Sequence, residues 1–140
     1  MDHSRKTVMT TGTLTQSIAR GYADKALAEA EKLGITVSVA ILDAGGHLMH
    51  FARHDGASLI TIDVAIRKAR TSVMFAMPSG DLAAGVLPGG PVYGVDAGGQ
   101  FAPFAGGLRI LETDGPAIGA IGVSGGLVDE DETVARAAIS

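Results

Sequence analysis

The feature that most constrains the fold is a pair of alternating segments joined by a very short turn. Residues Ile35–Leu42 are rich in β-branched side chains and alternate in polarity, and the chain returns as His47–Ala52 after the turn at residues 43–46. Three residues of the first segment share one face: Val37, Val39 and Ile41. Parallel strands need a crossover of a dozen or more residues, so the two segments are predicted to pair antiparallel.

The remaining segments predict helices on both sides of this hairpin and three further strands. The predicted helices are Leu14–Lys32, Ser58–Phe75, Ser79–Val86 and Asp129–Ile139. The predicted strands are Gln100–Phe104, Leu108–Glu112 and Ala117–Val123. A loop rich in Gly and Pro, Leu87–Gly99, has a length that is often functional. The order α-β-β-α-α-β-β-β-α indicates an α+β fold, an antiparallel sheet covered by helices.

Helical spacing also predicts which residues of the two long helices are buried. In the first helix these are Leu14, Ile18, Tyr22, Ala26, Ala30 and Leu33. In the second helix they are Leu59, Ile62, Ile66, Ala69 and Val73. Thr13 with Gln16 has the spacing of a capping box, and Ser58 is the expected cap of the second helix.

Composition narrows the class of protein. The 140 residues fit one domain, predicted over 13–140 after a flexible arm at 1–12, and the hydrophobic content of 46% excludes disorder. A net charge of −4 argues against nucleic acid or an anionic membrane as the main partner. The chain has no Cys and shows no secretory signal, so a cytoplasmic location is expected. The high apolar content predicts a homo-oligomer, although Ala and Gly also raise the mean hydropathy.

Several short motifs follow one another along the chain in a recognisable order. They are residues 39–48 (VAILDAGGHL), 51–57, 62–71, Phe104 with Gly106-Gly107, 119–126 (GAIGVSGG) and Asp131-Glu132. Together, over Leu14–Ala138, they resemble the GlcG/HbpS/PduO-C-terminal family. The resemblance implies a profilin-like fold with a five-stranded antiparallel sheet. It also implies one of several functions: binding haem and responding to redox stress, accompanying glycolate and diol metabolism, or acting on small unsaturated acids.

A candidate ligand pocket is predicted where two glycine-rich segments open and close strands. Gly106 and Gly107 precede one strand, and Ser124 and Gly125 follow another, where exposed backbone N–H groups accept anions. Arg109 stands where members of the family usually have proline, and it could favour a carboxylate ligand or be a surface charge. The alternative for the glycines is close packing of backbone or a β-bulge. The ligand is expected to be a small molecule.

Three histidines of the hairpin region are candidates for haem. Strand geometry places His47 and His50 on opposite faces, so they do not chelate one ion together, and no metal site is predicted. One axial imidazole suffices for haem, so His47, His50 or His54 could each serve. Thr71 is a further oxygen ligand that the resemblance implies. The alternative is that the histidines simply face solvent.

Charged residues give the alternative of an enzyme. Arg53 or Arg109 would hold a small unsaturated carboxylic acid, and Lys68 or Asp55 would move protons in an isomerase, deaminase or hydratase. A structural ion-pair network explains the same charges. Under either function, Arg53 and Lys68 are predicted to converge on the two glycine segments. The resemblance favours a binding protein, with haem or a similar anionic ligand.

Overall fold

The computed structural model describes residues 13–113 and 115–140. The predicted flexible arm at 1–12 lies outside the described residues. The helices are α1 (Gln16–Lys32), α2 (Ile60–Phe75) and α3 (Val128–Ile139). The strands are β1 (Ser38–Asp43), β2 (Leu48–Arg53), β3 (Gly107–Leu111) and β4 (Ala117–Ser124). Two short 3₁₀ helices, Ser79–Leu82 and Val95–Gly98, lie between α2 and β3. The predicted third helix is thus only a 3₁₀ turn.

The strands form an antiparallel sheet in the order β2-β1-β4-β3. The predicted hairpin is confirmed, because β1 pairs with β2. At one end of the sheet Ser38 stands between Arg53 on β2 and Ser124 on β4. On the same end Gly107 of β3 pairs with Gly122 of β4. The α+β class is therefore correct.

The prediction of five strands is wrong, since the sheet of the described residues has four. The segment Gln100–Phe104 is not a strand, because side chains take the hydrogen bonds that a neighbouring strand would make. Ala102 N–H donates to Thr71 Oγ1 at 2.9 Å, and Ser79 Oγ donates to the Phe104 carbonyl at 2.5 Å. Pro103, between them, has no N–H to donate.

Helices cover both faces of the sheet. α1 and α3 pack on one face, around a core that includes Val37, Val39 and Ile41 as predicted. α2 lies on the other face, where Ala69 packs with Leu42. None of the described helices is both long and apolar enough to span a bilayer.

The predicted buried faces of the helices are partly wrong. α1 buries its alanines, Ala19, Ala23, Ala26 and Ala30, while Ile18 and Leu33 are exposed. Thr15 caps this helix, its Oγ1 accepting the Ile18 N–H at 3.1 Å. α2 starts without a side-chain cap, and Leu59 is 78% exposed. Small side chains line the helix faces because they let each helix approach the sheet closely.

Candidate functional site

A cavity of about 720 Å³ lies at the end of the sheet where β1 ends and β4 begins. The start of α1 and the β1–β2 turn close its sides. Its lining residues are Thr13, Leu14, Thr15, Gln16, Asp43, Ala44, Gly45, Met49, Pro116, Ala117 and Ile118. A cavity of this volume accommodates a medium-sized organic ligand.

The lining combines apolar walls with the N-terminus of α1 and the carboxylate of Asp43. Leu14, Met49 and Ile118 supply apolar side chains. The first turn of α1 contains no acidic residue, so the partial positive charge of the helix N-terminus is not neutralised there. An apolar body with an anionic group matches this arrangement.

His50 is not part of the lining but contacts one lining residue, Gln16. Its Nδ1 lies 2.9 Å from Nε2 of Gln16. If the Gln16 amide turns over, its oxygen accepts from Nδ1–H, which leaves Nε2 of His50 with a free lone pair. A ring held through one nitrogen and free at the other is the usual state of a metal-ligating histidine.

His47 is not part of the lining but contacts one lining residue, Asp43. Its Nδ1 is 3.3 Å from Asp43 Oδ1, and its side chain is 81% exposed. The same carboxylate oxygen accepts the N–H of Gly45 at 2.9 Å and that of His47 at 3.0 Å, which fixes the turn. His47 therefore lies on an ordered turn, with an exposed ring whose Nδ1 faces Asp43.

His54 is held in a different way, at the opposite end of β2. Its Nδ1 accepts the backbone N–H of Val37 at 3.0 Å, which fixes the proton of the neutral ring on Nε2. Nε2 is buried without a hydrogen-bond partner among the described residues, and lies 3.8 Å from Glu31 Oε1. Ligation of a metal through Nε2 would put a proton on Nδ1 against the Val37 N–H. The Val37 N–H cannot reverse its direction as the Gln16 amide can, so ligation through Nε2 of His54 would break this hydrogen bond.

The opposite end of the sheet holds a buried ion pair between the two helix layers. Lys68 Nζ of α2 lies 2.9 Å from Asp131 Oδ2 of α3, and both side chains are 2% exposed. Lys68 also donates to the Val123 carbonyl at 2.9 Å. Asp131 accepts the N–H of Gly126 at 2.8 Å and that of Gly125 at 3.3 Å. The pair therefore ties α2, β4 and the loop before α3 together.

Burial governs the protonation of this pair. Desolvation lowers the pKa of Lys68 and raises the pKa of Asp131, and in each it outweighs the attraction of the partner. The two groups are satisfied by each other and by backbone. Their contacts are those of a structural ion pair, the alternative that the sequence left open for Lys68.

The glycines of this end lie against protein atoms. A Cβ on Gly106 would stand 2.8 Å from Lys68 Nζ, and one on Gly107 would collide with the Lys68 carbonyl. A Cβ on Gly125, whose φ is +154°, would collide with the Thr36 carbonyl. Close approach of α2 and β1 thus requires glycine at these positions.

The other predicted site residues are spread over the molecule. Arg53 and Asp55 are exposed at the end of β2, and Arg53 stands two strands away from Ser124. Thr71 is buried, and its hydroxyl donates to the Arg67 carbonyl at 2.8 Å while it accepts from Ala102. The structure brings Lys68 together with the glycines and with Ser124-Gly125, but places the cavity at the other end of the sheet.

The sequence analysis did not predict two residues that make key contacts at these sites, Gln16 and Asp131. Gln16 was considered only as part of a helix cap. Asp131 occurs three, four and seven residues before Val134, Ala135 and Ala138, the buried positions of α3. An acidic residue at a core position of a helix was therefore the available signal for a buried partner.

Comparison with known proteins shows related chains and folds. Over 129 residues this chain is 31% identical to a 15.0 kDa protein from the dhaT-dhaS intergenic region of Citrobacter freundii, covering 91% of this chain and 90% of that protein. It is 34% identical over 117 residues to the corrinoid adenosyltransferase PduO of Salmonella typhimurium. That match covers 82% of this chain and spans about a third, 34%, of PduO.

A solved structure shares the fold at similar identity. The crystal structure of a PduOC:heme complex matches with a TM-score of 0.84 and 32% identity, covering 91% of this chain and 93% of the other. Residues 14–140 match the family model described as "Haem degrading protein HbpS-like". With its sequence, fold and motifs in agreement, this chain belongs to the HbpS-like family.

Proposed function

We propose that this protein binds haem, or a similar planar anionic ligand, in the cavity between the start of α1 and the β1–β2 turn. The observation that carries the proposal is the relative at TM-score 0.84 that was solved as a haem complex. The 720 Å³ cavity of this chain adds apolar walls and the positive end of α1. Both are suited to a porphyrin with carboxylate groups.

His50 is the proposed axial ligand. Its hydrogen bond to Gln16 orients the ring, and a turn of the Gln16 amide leaves Nε2 free for iron. His47 is the second candidate, because it contacts Asp43 of the cavity lining and is not buried. His54 is the least suited, since its Nδ1 already accepts from the backbone of Val37. When bound, haem would supply an iron centre next to these residues.

The experiment is a haemin titration followed by the Soret band. We expect a shifted, saturable Soret band for the wild type, and a weaker or altered one for His50→Ala and Gln16→Ala. His54→Ala is the matched control, because it removes the same ring at the other end of β2 and should leave the Soret band unchanged. Titration that gives only the spectrum of free haemin would remove the proposal.

A second pair of variants locates the ligand. Ala44→Trp places a large side chain at an exposed position that lines the cavity, and should reduce haemin affinity. Ala28→Trp, at an exposed position on α1 outside the lining, is its control. Equal affinities of these two variants would show that haemin binds elsewhere.

The enzyme alternative finds no comparable support. Lys68 and Asp131 bind each other out of reach of solvent, and Arg53 and Asp55 are exposed away from the cavity. An acid–base group must reach the proton that it moves, directly or through one water.

A further inference from the structure

We propose a second binding site, for a small carboxylate with an apolar body, at the free edge of β3. This site is separate from the cavity at α1 and does not depend on the haem proposal. A cavity of about 250 Å³ lies there, between β3, α3 and the end of α2. Its lining residues are Pro78, Leu108, Arg109, Leu111, Arg136 and Ile139.

Two arginines from different elements line this cavity at the edge of the sheet. Arg109 comes from β3 and Arg136 from the last turns of α3. Within residues 13–113 and 115–140, the Arg109 side chain makes no hydrogen bond or ion pair. Arg136 lies 3.4 Å from Glu132 one turn earlier on α3. Among the described residues, one guanidinium is thus unpartnered, and the other is held by a partly exposed carboxylate that an anionic ligand can replace.

The walls between the arginines define the kind of anion. Leu108 is buried, and Pro78, Leu111 and Ile139 complete an apolar surface. A fully hydrated anion such as phosphate would gain nothing from these walls. A short carboxylic acid can place its apolar body on them while its two oxygens accept from guanidinium groups. The volume of about 250 Å³ limits the ligand to a small carboxylic acid.

This second site is accessible because it lies at the free edge of the sheet. β3 is the edge strand, so no further strand of the described chain covers its outer side.

Benzoate is a suitable probe, with benzamide and inorganic phosphate as comparisons. We expect saturable amide shifts of residues 107–111 in NMR titrations with benzoate, and much weaker ones with benzamide or phosphate. Shifts confined to Gln16, Ala44 and their neighbours would instead report binding at the α1 cavity, and would overturn the proposal for β3.

Three variants test the role of each charge. Arg109→Gln should weaken benzoate binding about tenfold or more, as expected for loss of one charged hydrogen bond. Glu132→Gln should strengthen it, because Arg136 loses its competing carboxylate. Arg20→Gln removes the same charge from an exposed ion pair on α1 and should change nothing. Equal weakening by Arg109→Gln and Arg20→Gln, or no gain from Glu132→Gln, would overturn the proposal.

Discussion

Removing the carboxylate of Asp131 should be among the most damaging single changes in this protein. Asp131→Ala leaves the buried Lys68 ammonium with only the Val123 carbonyl as acceptor. It also removes the acceptor of the Gly126 N–H, and of the more weakly bound Gly125 N–H. Breaking a buried ion pair by removing one partner costs about 3–5 kcal/mol.

The magnitude can be set against the stability of a typical domain. The free energy of unfolding of natural domains is about 5–15 kcal/mol, so a loss of about 4 kcal/mol removes a large share of it. With a urea m-value of about 2 kcal/mol/M, that loss lowers the unfolding midpoint by about 2 M. Urea unfolding followed by circular dichroism measures this directly. Asp131→Asn should cost less, because its amide oxygen still accepts from Gly126.

A double-mutant cycle separates the pair from its surroundings. Lys68→Met with Asp131→Asn should cost less than the sum of the single changes, because neither variant side chain is then a buried unpaired charge. Asp63→Ala is the matched control: it breaks the exposed ion pair with Arg67 on α2 and should cost about 0.5 kcal/mol or less. An Asp131→Ala variant within about 1 kcal/mol of wild type would refute this reasoning, since the pair would then be solvated.

Two further predictions concern packing and assembly. Gly107→Ala should destabilise the fold severely, because its Cβ would collide with the Lys68 carbonyl. Gly21→Ala lies in α1 with open space around it and should stabilise the protein by about 0.5–1 kcal/mol. Thermal unfolding compares the two variants, and equal effects would contradict the packing argument. We also predict a homo-oligomer, since large apolar side chains such as Leu59, Ile60 and Leu127 are exposed; light scattering should show several subunits, and a mass near 14 kDa would exclude it.

The parts of the fold that follow from local patterns were predictable from the sequence. Alternation and a short turn specified the β1–β2 hairpin, and the acidic start of α3 fixed that helix within a residue. The strand predicted over Gln100–Phe104 failed for a non-local reason. Its hydrogen-bond partners are the hydroxyls of Thr71 and Ser79, which lie on or just after α2 and are invisible to a pattern read along the chain.

The candidate site was less predictable, because it depends on which atoms occupy a space. The glycine motifs at 106–107 and 122–125 were predicted to admit either a ligand or neighbouring backbone, and a motif cannot distinguish an approaching ligand from an approaching helix. Here the helix occupies the space, through Ala65 and Lys68. The histidines were likewise indistinguishable in sequence. Only the partners of their ring nitrogens, Gln16 for His50 and the Val37 N–H for His54, separate them.

The pairing of β1 with β4 has a consequence for how the chain is made. Ser38 pairs with Ser124, so more than half of the chain must leave the ribosome between the two central strands. At about 5–20 residues per second, the β1–β2 hairpin waits several seconds for its inner neighbour. During that time one edge of β1 has no neighbouring strand with which to form hydrogen bonds. The face of β1 that is later buried also lacks α3. The interval during which this hairpin lacks its inner neighbour is therefore set by strand order alone.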